Sequence, residues 1–333
     1  MIETGIVDNL SGLDELTSEW STLARSIESI TPFQLPEWLI TWWGHFGGGQ
    51  LHIMIFRDGR KLVGVVPCFL HEWNNKRQMT LIGSGISDYL EPPIDPNYTQ
   101  QVSAALQGHL AACPDWEVCD WQDLSRDTPL QKLALGNSVD VRISEDVPCS
   151  EVRFSGAFDE FWSSRPKDMR RNLRRYTQRA LLDGELQFNM TGKADTELLD
   201  ALIRLHAARW QQRGEAGMIE ANRSAEFLRA VAVDFGNRDI LRFFTIRYKG
   251  QIAALVLTFL YANKIYSYMS AFDPQFEPLG FGRNLLYESM RVCYERGYRA
   301  WNFLRGDEPY KRWWGAQPIA KCRVKLTRNA GVS

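Results

Sequence analysis

The chain has 333 residues, 44% of them hydrophobic and 24% charged, with a formal net charge of −1. That length accommodates two ordinary domains. The charge balance excludes a polyelectrolyte built for nucleic acid, so any anion binding must come from a local patch. The acidic start, MIETGIVDNLSGLDELTSEW, lacks a signal-peptide core. The longest apolar run, near Ile252 to Ala262, is too short to span a bilayer. A cytoplasmic protein without a transmembrane segment is expected.

In chain order, apolar spacing and start signals at Ser11 and Pro36 predict helices over Leu13–Ile27 and Pro36–Phe46. LHIMIFRDGRKLVGVVPCFL, Leu51 to Leu70, reads as two strands joined by a tight turn at Gly59. A strand near Arg77–Ile82, the loop GSGISDYLEPP, a helix near Thr99–Ala112 and a strand near Glu117–Gln122 follow. Asp127 to Pro148 reads as a helix, a strand and a linker. Helix signals then recur near Ala157 and Lys167, with long helices near Thr196–Arg213 and Ser224–Phe235. LRFFTIRYKGQIAALVLTFL, Leu241 to Leu260, repeats the earlier hairpin pattern around Gly250. A strand near Lys264–Ala271, a helix near Gly282–Arg296, a strand near Arg299–Leu304 and a last strand near Ala320–Thr327 complete the chain. The repeated hairpin predicts a duplicated domain, with halves at 1–150 and 151–333. Helices alternating with a partly antiparallel sheet predict an α/β (α+β) fold.

Six cysteines, Cys68, Cys113, Cys119, Cys149, Cys293 and Cys322, contain no CxxC pair. They read as reduced, buried thiols rather than a zinc site or disulfide framework. The five histidines are dispersed along the chain, so no metal is expected.

Several stretches carry chemistry. FDPQFEPLGFGRNLLYESM puts a glycine-bearing loop between a strand and a helix. Gly280 and Gly282 let a backbone approach a ligand, the first helical amides are free for an anion, and Arg283 adds charge. This suits a pyrophosphate such as that of coenzyme A. It is neither a Rossmann fingerprint nor a P-loop, and a plain strand-to-helix turn has the same pattern. FLRGDEPYKRWWG, Phe303 to Gly315, sits at a strand end, where open α/β sheets place ligands. Asp307 and Glu308 are candidate general bases and Tyr310 a candidate acid. Arg305 and Lys311 are candidate anion ligands, and Trp313 and Trp314 a wall for an apolar or sugar-like face. A solvated loop with structural tryptophans fits the same letters.

RPKDMRRNLRRYTQRALLD, Arg165 to Asp183, has seven basic and two acidic residues. Met169, Leu173, Tyr176 and Ala180 recur at helical spacing, so one face packs inward and the rest is basic. In LHAARWQQRG, His206 and Trp210 share a helix face near Arg209. Ser87-Asp88-Tyr89 follows a strand, either as an Asx turn or pointing into a cleft.

Together these stretches resemble the CelD/BcsL-type acetyltransferases, a FemAB-like branch of the GNAT superfamily. The matching pieces are FQLPEWLITWW, SDY, MRRNLRRYTQRALLDGEL, LHAARWQQRG, FDPQFEPLGFGRNLL and, most specifically, FLRGDEPYKRWWG. They cover nearly the whole chain in the family's order. The resemblance implies two tandem GNAT-like domains, each a mixed sheet flanked by helices. It implies acyl transfer from acetyl-CoA or another acyl-CoA to an amine or hydroxyl on a small molecule, sugar or peptide. Such enzymes often serve polysaccharide or cell-envelope synthesis, and a non-catalytic partner of that machinery is an alternative. The donor's pyrophosphate would lie on Leu279, Gly280, Phe281, Gly282, Arg283 and Asn284, although the loop opens with Pro278-Leu279 where the family usually has Arg or Gln and more glycines. Asp88, Tyr89, His206, Arg209, Trp210, Arg305, Lys311 and Trp313 would shape the acceptor side. Some FemAB-like relatives use aminoacyl-tRNA, and the basic helix would suit that donor equally.

Overall fold

The structure is a computed structural model, in which residues 2–213 and 222–329 are described, the side chains of 209–213 and 222 excepted. The chain folds as two compact units. One runs to Val147 and takes back the chain from Ala320; the other is Pro148–Ile319.

The first unit begins with β1 (Glu3–Val7), α1 (Leu10–Ser26) and α2 (Pro36–Phe46). Asn9 starts α1 by accepting a hydrogen bond from the Gly12 N–H at 2.9 Å. Leu13, Leu16, Trp20 and Leu23 then bury one helical face. The strands β2 (Gln50–Asp58), β3 (Lys61–Trp73) and β4 (Lys76–Leu81) follow, then α3 (Thr99–Ala112) and β5 (Val118–Ser125). β6 (Val139–Arg153) carries the chain into the second unit.

There the order is α4 (Phe158–Ser163), α5 (Lys167–Asp183), β7 (Leu186–Thr191), α6 (Thr196–Arg213) and α7 (Asn222–Asn237). Next come β8 (Leu241–Tyr248), β9 (Gln251–Tyr261), β10 (Lys264–Phe272), α8 (Phe281–Glu295), β11 (Ala300–Arg305) and α9 (Pro309–Trp313), after which β12 (Gln317–Arg328) carries the chain back into the first unit.

The two units repeat one plan. In the first, β1, β2, β3 and β4 pair antiparallel in sequence and β4 pairs parallel with β5. In the second, β7, β8, β9 and β10 pair antiparallel and β10 pairs parallel with β11. The two hairpins match in detail. Each turns on a left-handed glycine, Gly59 at φ 58° and Gly250 at φ 78°. Each has a register shift just before its turn, between Phe56 and Arg57 in one and between Ile246 and Arg247 in the other. The repeated hairpin in the sequence is therefore a repeated structural unit.

Three features differ from expectation. β1 and β7 are additional edge strands, short and only partly buried. Asp127 to Pro148 contains no α-helix: Pro129–Lys132 is a short 3₁₀ turn, and β6 runs through Pro148 instead of ending in a linker there. Pro148 is tolerated because only its carbonyl is used, accepting from the Gly306 N–H at 2.9 Å. The last strand pairs with β5, over Lys321–Thr327 against Val118–Ser125, so it belongs with the first unit, whereas the sequence reading kept it in the second.

The core of the second unit lies between its sheet and the helices α4, α5 and α8. Phe244, Val256, Ile265 and Trp301 come from strands; Phe158, Leu173, Phe281 and Met290 come from helices. Phe244 is fully buried, with its ring centroid 5.8 Å from Trp301 and 6.2 Å from Phe188. Phe244→Ala should cost about 3–5 kcal/mol, read as a lower urea midpoint with an unchanged slope.

Candidate active site

The site forms where β10 and β11 part. Their parallel pairing covers only Lys264–Tyr266 against Ala300–Asn302, yet β10 continues to Phe272 and β11 to Arg305. Two local features separate them. β10 shifts register against β9 between Ser267 and Met269, and such a bulge bends and twists the strand. β11 passes through the left-handed region at Leu304, with φ 60°. The Leu304 N–H donates to the Asn302 side-chain oxygen at 2.8 Å.

Lys311 fixes the departing end of β11. Its ammonium is buried and donates to the carbonyls of Leu304 at 3.3 Å, Arg305 at 2.6 Å and Gly306 at 3.1 Å. It also lies 2.9 Å from a Glu308 carboxylate oxygen. A buried cation needs such partners, because an unpaired one is costly. Pro309 then starts α9 at its first position, which brings Tyr310 and Trp313 back over the gap. Trp314 is buried with its ring centroid 5.7 Å from that of Trp162.

The gap is a cavity of about 780 Å³, within the roughly 300–1,000 Å³ typical of small-molecule sites. Ser267, Ser270 and Phe272 of β10 form one wall, and Trp301 and Phe303 of β11 another. Met169, Asn172 and Tyr176 of α5 close a side, and Tyr310 and Trp313 stand at the β11 end. At the other end Gly280 takes φ 64° and starts α8. A side chain at Gly280 would meet the Tyr176 ring at 2.8 Å, so glycine is required by both backbone and space. The amides of Phe281 and Gly282, in the first turn of α8, have no acceptor within the helix. The guanidinium groups of Arg283 and Arg175 lie 5.8 Å and 5.3 Å from the Tyr176 ring centroid. Backbone amides and Arg283 thus meet at one end of the cavity, as anion binding requires, where Asp273 and Glu277 also line the wall.

The residues singled out in the sequence divide. Gly280, Phe281, Gly282, Arg283, Tyr310 and Trp313 line the cavity. Leu279 is half-buried beside it. The Phe281 side chain packs in the core, 5.1 Å between centroids from Tyr248. Asn284 is buried and accepts from the Thr177 hydroxyl at 3.2 Å. Its side chain therefore braces α8 against α5.

Among the described residues of the wall, Asp307, Glu308, Arg305 and Lys311 do not appear. Lys311 is a backbone clamp rather than a substrate-anion ligand. Asp307 is exposed and ion-paired with Arg312, whose hydrogen bond holds the carboxyl below its usual range. Glu308 is exposed and paired with Lys311. His206 is buried on α6, which packs on β9 and β10. The side chains of Arg209 and Trp210 lie outside the described residues.

Asp88 and Tyr89 belong to the first unit, on a segment that closes the equivalent gap. There β4 and β5 pair only over Gln78–Thr80 against Val118–Asp120. Beyond that point the Leu90 N–H donates to the Asp123 carbonyl at 3.0 Å. The Ser125 N–H and the Thr128 hydroxyl donate to the Glu91 carboxylate at 3.0 Å and 2.6 Å. Tyr89 stacks with Phe33 and takes the Lys321 ammonium 4.0 Å over its ring. The chain itself fills the split in this unit.

Sequence reasoning missed Ser267, Ser270, Phe272 and Asn172. The inward spacing of Met169 and Tyr176 was a usable signal, but it reads as core packing until the gap is known.

Residues 167–312 match the family described as an acetyltransferase (GNAT) domain. That match lies within the second unit. No curated protein sequence matches the chain. The crystal structure of FemX superposes on 97% of this chain and 96% of its own, with TM-score 0.68 and 10% identity. A tandem GNAT protein from the clavulanic acid biosynthesis pathway, without AcCoA, covers 99% and 100%, with TM-score 0.52 and 13% identity. The C-terminal domain of a putative lysylphosphatidylglycerol synthetase from Agrobacterium fabrum covers 96% and 92%, with TM-score 0.56 and 12% identity. These likenesses bear out the expected tandem GNAT fold. No described helix is long and apolar enough to cross a membrane.

Removing the Lys311 ammonium should destabilise the protein more than it weakens ligand binding. Lys311→Met should cost about 3 kcal/mol by chemical denaturation, from carbonyls and a carboxylate left without their donor. The folded fraction should bind acyl-CoA about tenfold more weakly, about 1.4 kcal/mol, because β11 no longer leaves the sheet at a fixed residue.

Proposed function

We propose that the second unit binds an acyl-CoA thioester in the gap between β10 and β11 and transfers its acyl group to an amine or hydroxyl. The observation that carries this reading is the open split itself, which runs from the amides of Gly280–Gly282 to Tyr310 and Trp313. Past Tyr266, β10 has no pairing with β11, so that edge is available to the amides of an extended ligand arm. The pyrophosphate would sit on the first turn of α8, with Arg283 and Arg175 supplying charge. The Phe281 and Asn284 side chains hold the turn in place rather than touch the donor.

The acceptor nitrogen or oxygen would attack the thioester carbon, and the carbon–sulfur bond would break. The sulfur would keep the electron pair and take a proton from the Tyr310 hydroxyl, which regains one from solvent. Amides of β10 between Met269 and Phe272 would polarise the carbonyl, at about 3 kcal/mol per good donor. Of the two expected bases, Asp307 is the weaker proton acceptor because Arg312 stabilises its charged form. Glu308, which is ion-paired with Lys311, is assigned the acceptor's proton, through water. The exposed faces of Trp313 and Tyr310 suit the apolar face of a sugar. This agrees with the resemblance to CelD/BcsL-type enzymes and with an acceptor in polysaccharide or cell-envelope synthesis.

Titration calorimetry with acetyl-CoA and desulfo-CoA tests the donor. Gly282 has room for a methyl group, with Phe272 at 3.5 Å, but not for an indole. Binding should be lost in Gly282→Trp and weakened about tenfold in Arg283→Ala. Absence of binding to either CoA species, with binding of aminoacyl-tRNA instead, would overturn the donor assignment.

The roles of the acid and base separate kinetically. Tyr310→Phe should lower kcat about 10²-fold with little change in the KM for the donor. A rate limb governed by Asp307 would require its ionised form and would lie below the ordinary carboxylate range. The acidic limb should stay in place in Asp307→Asn; a limb that disappears in this variant would return the base role to Asp307.

A further inference from the structure

We propose that the first unit contains a transition-metal site of zinc type, built from His52, His109 and Cys113. Along the chain these residues form no metal-binding spacing. The fold brings them together from β2 and from the C-terminal end of α3. The His52 and His109 Nε2 atoms are 3.0 Å apart. With the Cys113 sulfur, the three ligand atoms lie within 4.8 Å of one another. His109 and Cys113 are four residues apart, one helical turn, so they present their ligand atoms to the same side.

The chemistry of the set suits a borderline-soft ion. Zinc binds imidazole nitrogen at about 2.0–2.1 Å and thiolate at about 2.3 Å. In a tetrahedron those lengths put ligand atoms about 3.3–3.7 Å apart, so small side-chain adjustments would close the site. His52 and Cys113 are buried and His109 is half-buried. Two neutral imidazoles alone would share one hydrogen bond. The thiol adds a third ligand at the same point.

Asp115 stands beside Cys113, outside this group of three. The Asp115 carboxylate lies 3.9 Å from the Cys113 sulfur and acts electrostatically on His52. Asp8 also acts electrostatically on His52, so two carboxylates offset the positive charge of a bound ion. Such an ion would tie the end of α3 to β2, the strand it packs on. Its role would be structural, and it would lie in the unit whose strand gap is already filled. On binding, the Cys113 thiol would lose its proton to solvent and coordinate as thiolate.

The test uses full-length protein freed of any purification tag. Metal analysis after expression in zinc-supplemented medium should find about one zinc per chain. Cobalt(II) added to the metal-free protein should give a thiolate-to-cobalt charge-transfer band and intense tetrahedral ligand-field bands. Zinc should raise the thermal midpoint of the wild type, and Cys113→Ser and His109→Gln should abolish both the band and the shift. The wild-type spectrum reports thiolate ligation even if a variant fails to fold. Substoichiometric zinc with no thiolate band, or a band that survives Cys113→Ser, would overturn the site and leave a histidine–histidine hydrogen bond.

Discussion

One buried ammonium group determines the shape of the site. Lys311 gathers the carbonyls of Leu304, Arg305 and Gly306, three consecutive acceptors that an extended strand would point in alternating directions. They converge because Leu304 and Gly306 both adopt positive φ, 60° and 108°. Leucine in that region is strained, and the strain persists only where surrounding contacts hold it. The ammonium supplies those contacts, and the Glu308 carboxylate balances its charge. β11 therefore leaves the sheet at a fixed residue. α9 starts at a fixed angle, and the gap beside β10 keeps its width. The opening of the cavity follows from backbone geometry set by a residue that is not on its wall.

The repeated plan shows what that opening means. Both units pair their fourth and fifth strands in parallel over three residues and then let them separate. In the first unit the segment around Leu90 and Glu91 returns along β5 and takes up its hydrogen bonds. Burial pushes the Glu91 carboxyl up, while the Thr128 hydroxyl and the Ser125 N–H partly offset that cost. Among the described residues the second unit has no such return segment, and α8 begins soon after β10 ends. The two units share one arrangement: one satisfies its strand edge with its own chain and the other leaves that edge open. The GNAT domain match falls on the open copy.

Much of this was legible in the sequence because it is local. The two hairpins, their turn glycines and the strand–loop–helix at Phe272–Met290 depend on neighbouring residues, and each appears where the pattern placed it. What was not legible depends on distant partners. Lys311 looks like a surface cation in FLRGDEPYKRWWG, because nothing in the letters says that the strand before it will curl. Asp307 reads as a free carboxylate until Arg312 is seen to fold back on it. Ser267 and Ser270 look like ordinary strand positions; only the end of pairing at Tyr266 turns them toward a cavity. His52, His109 and Cys113 meet only after β2 and α3 pack. β1 and β7 escaped notice because short edge strands bury too little to show a strong alternation.

The basic helix α5 connects the composition to the site. The chain as a whole carries a net charge of only −1, so its overall field does not draw in anions. Charges on opposite sides of the molecule are screened from one another beyond about 8–10 Å at physiological salt. What a ligand meets at the cavity is therefore the local set, and α5 determines it. Its inward residues Met169, Asn172 and Tyr176 form a wall, while Arg175 and the neighbouring Arg283 flank the Tyr176 ring. Asp168 offsets part of this charge through Arg171, at 2.9 Å, toward the start of the helix. Arg175 lies two turns further on, near the first turn of α8. Arg283 lines the end of the cavity where free amides favour an anion, Asp273 and Glu277 line it as well, and the amphipathic helix α5 supplies one of its walls.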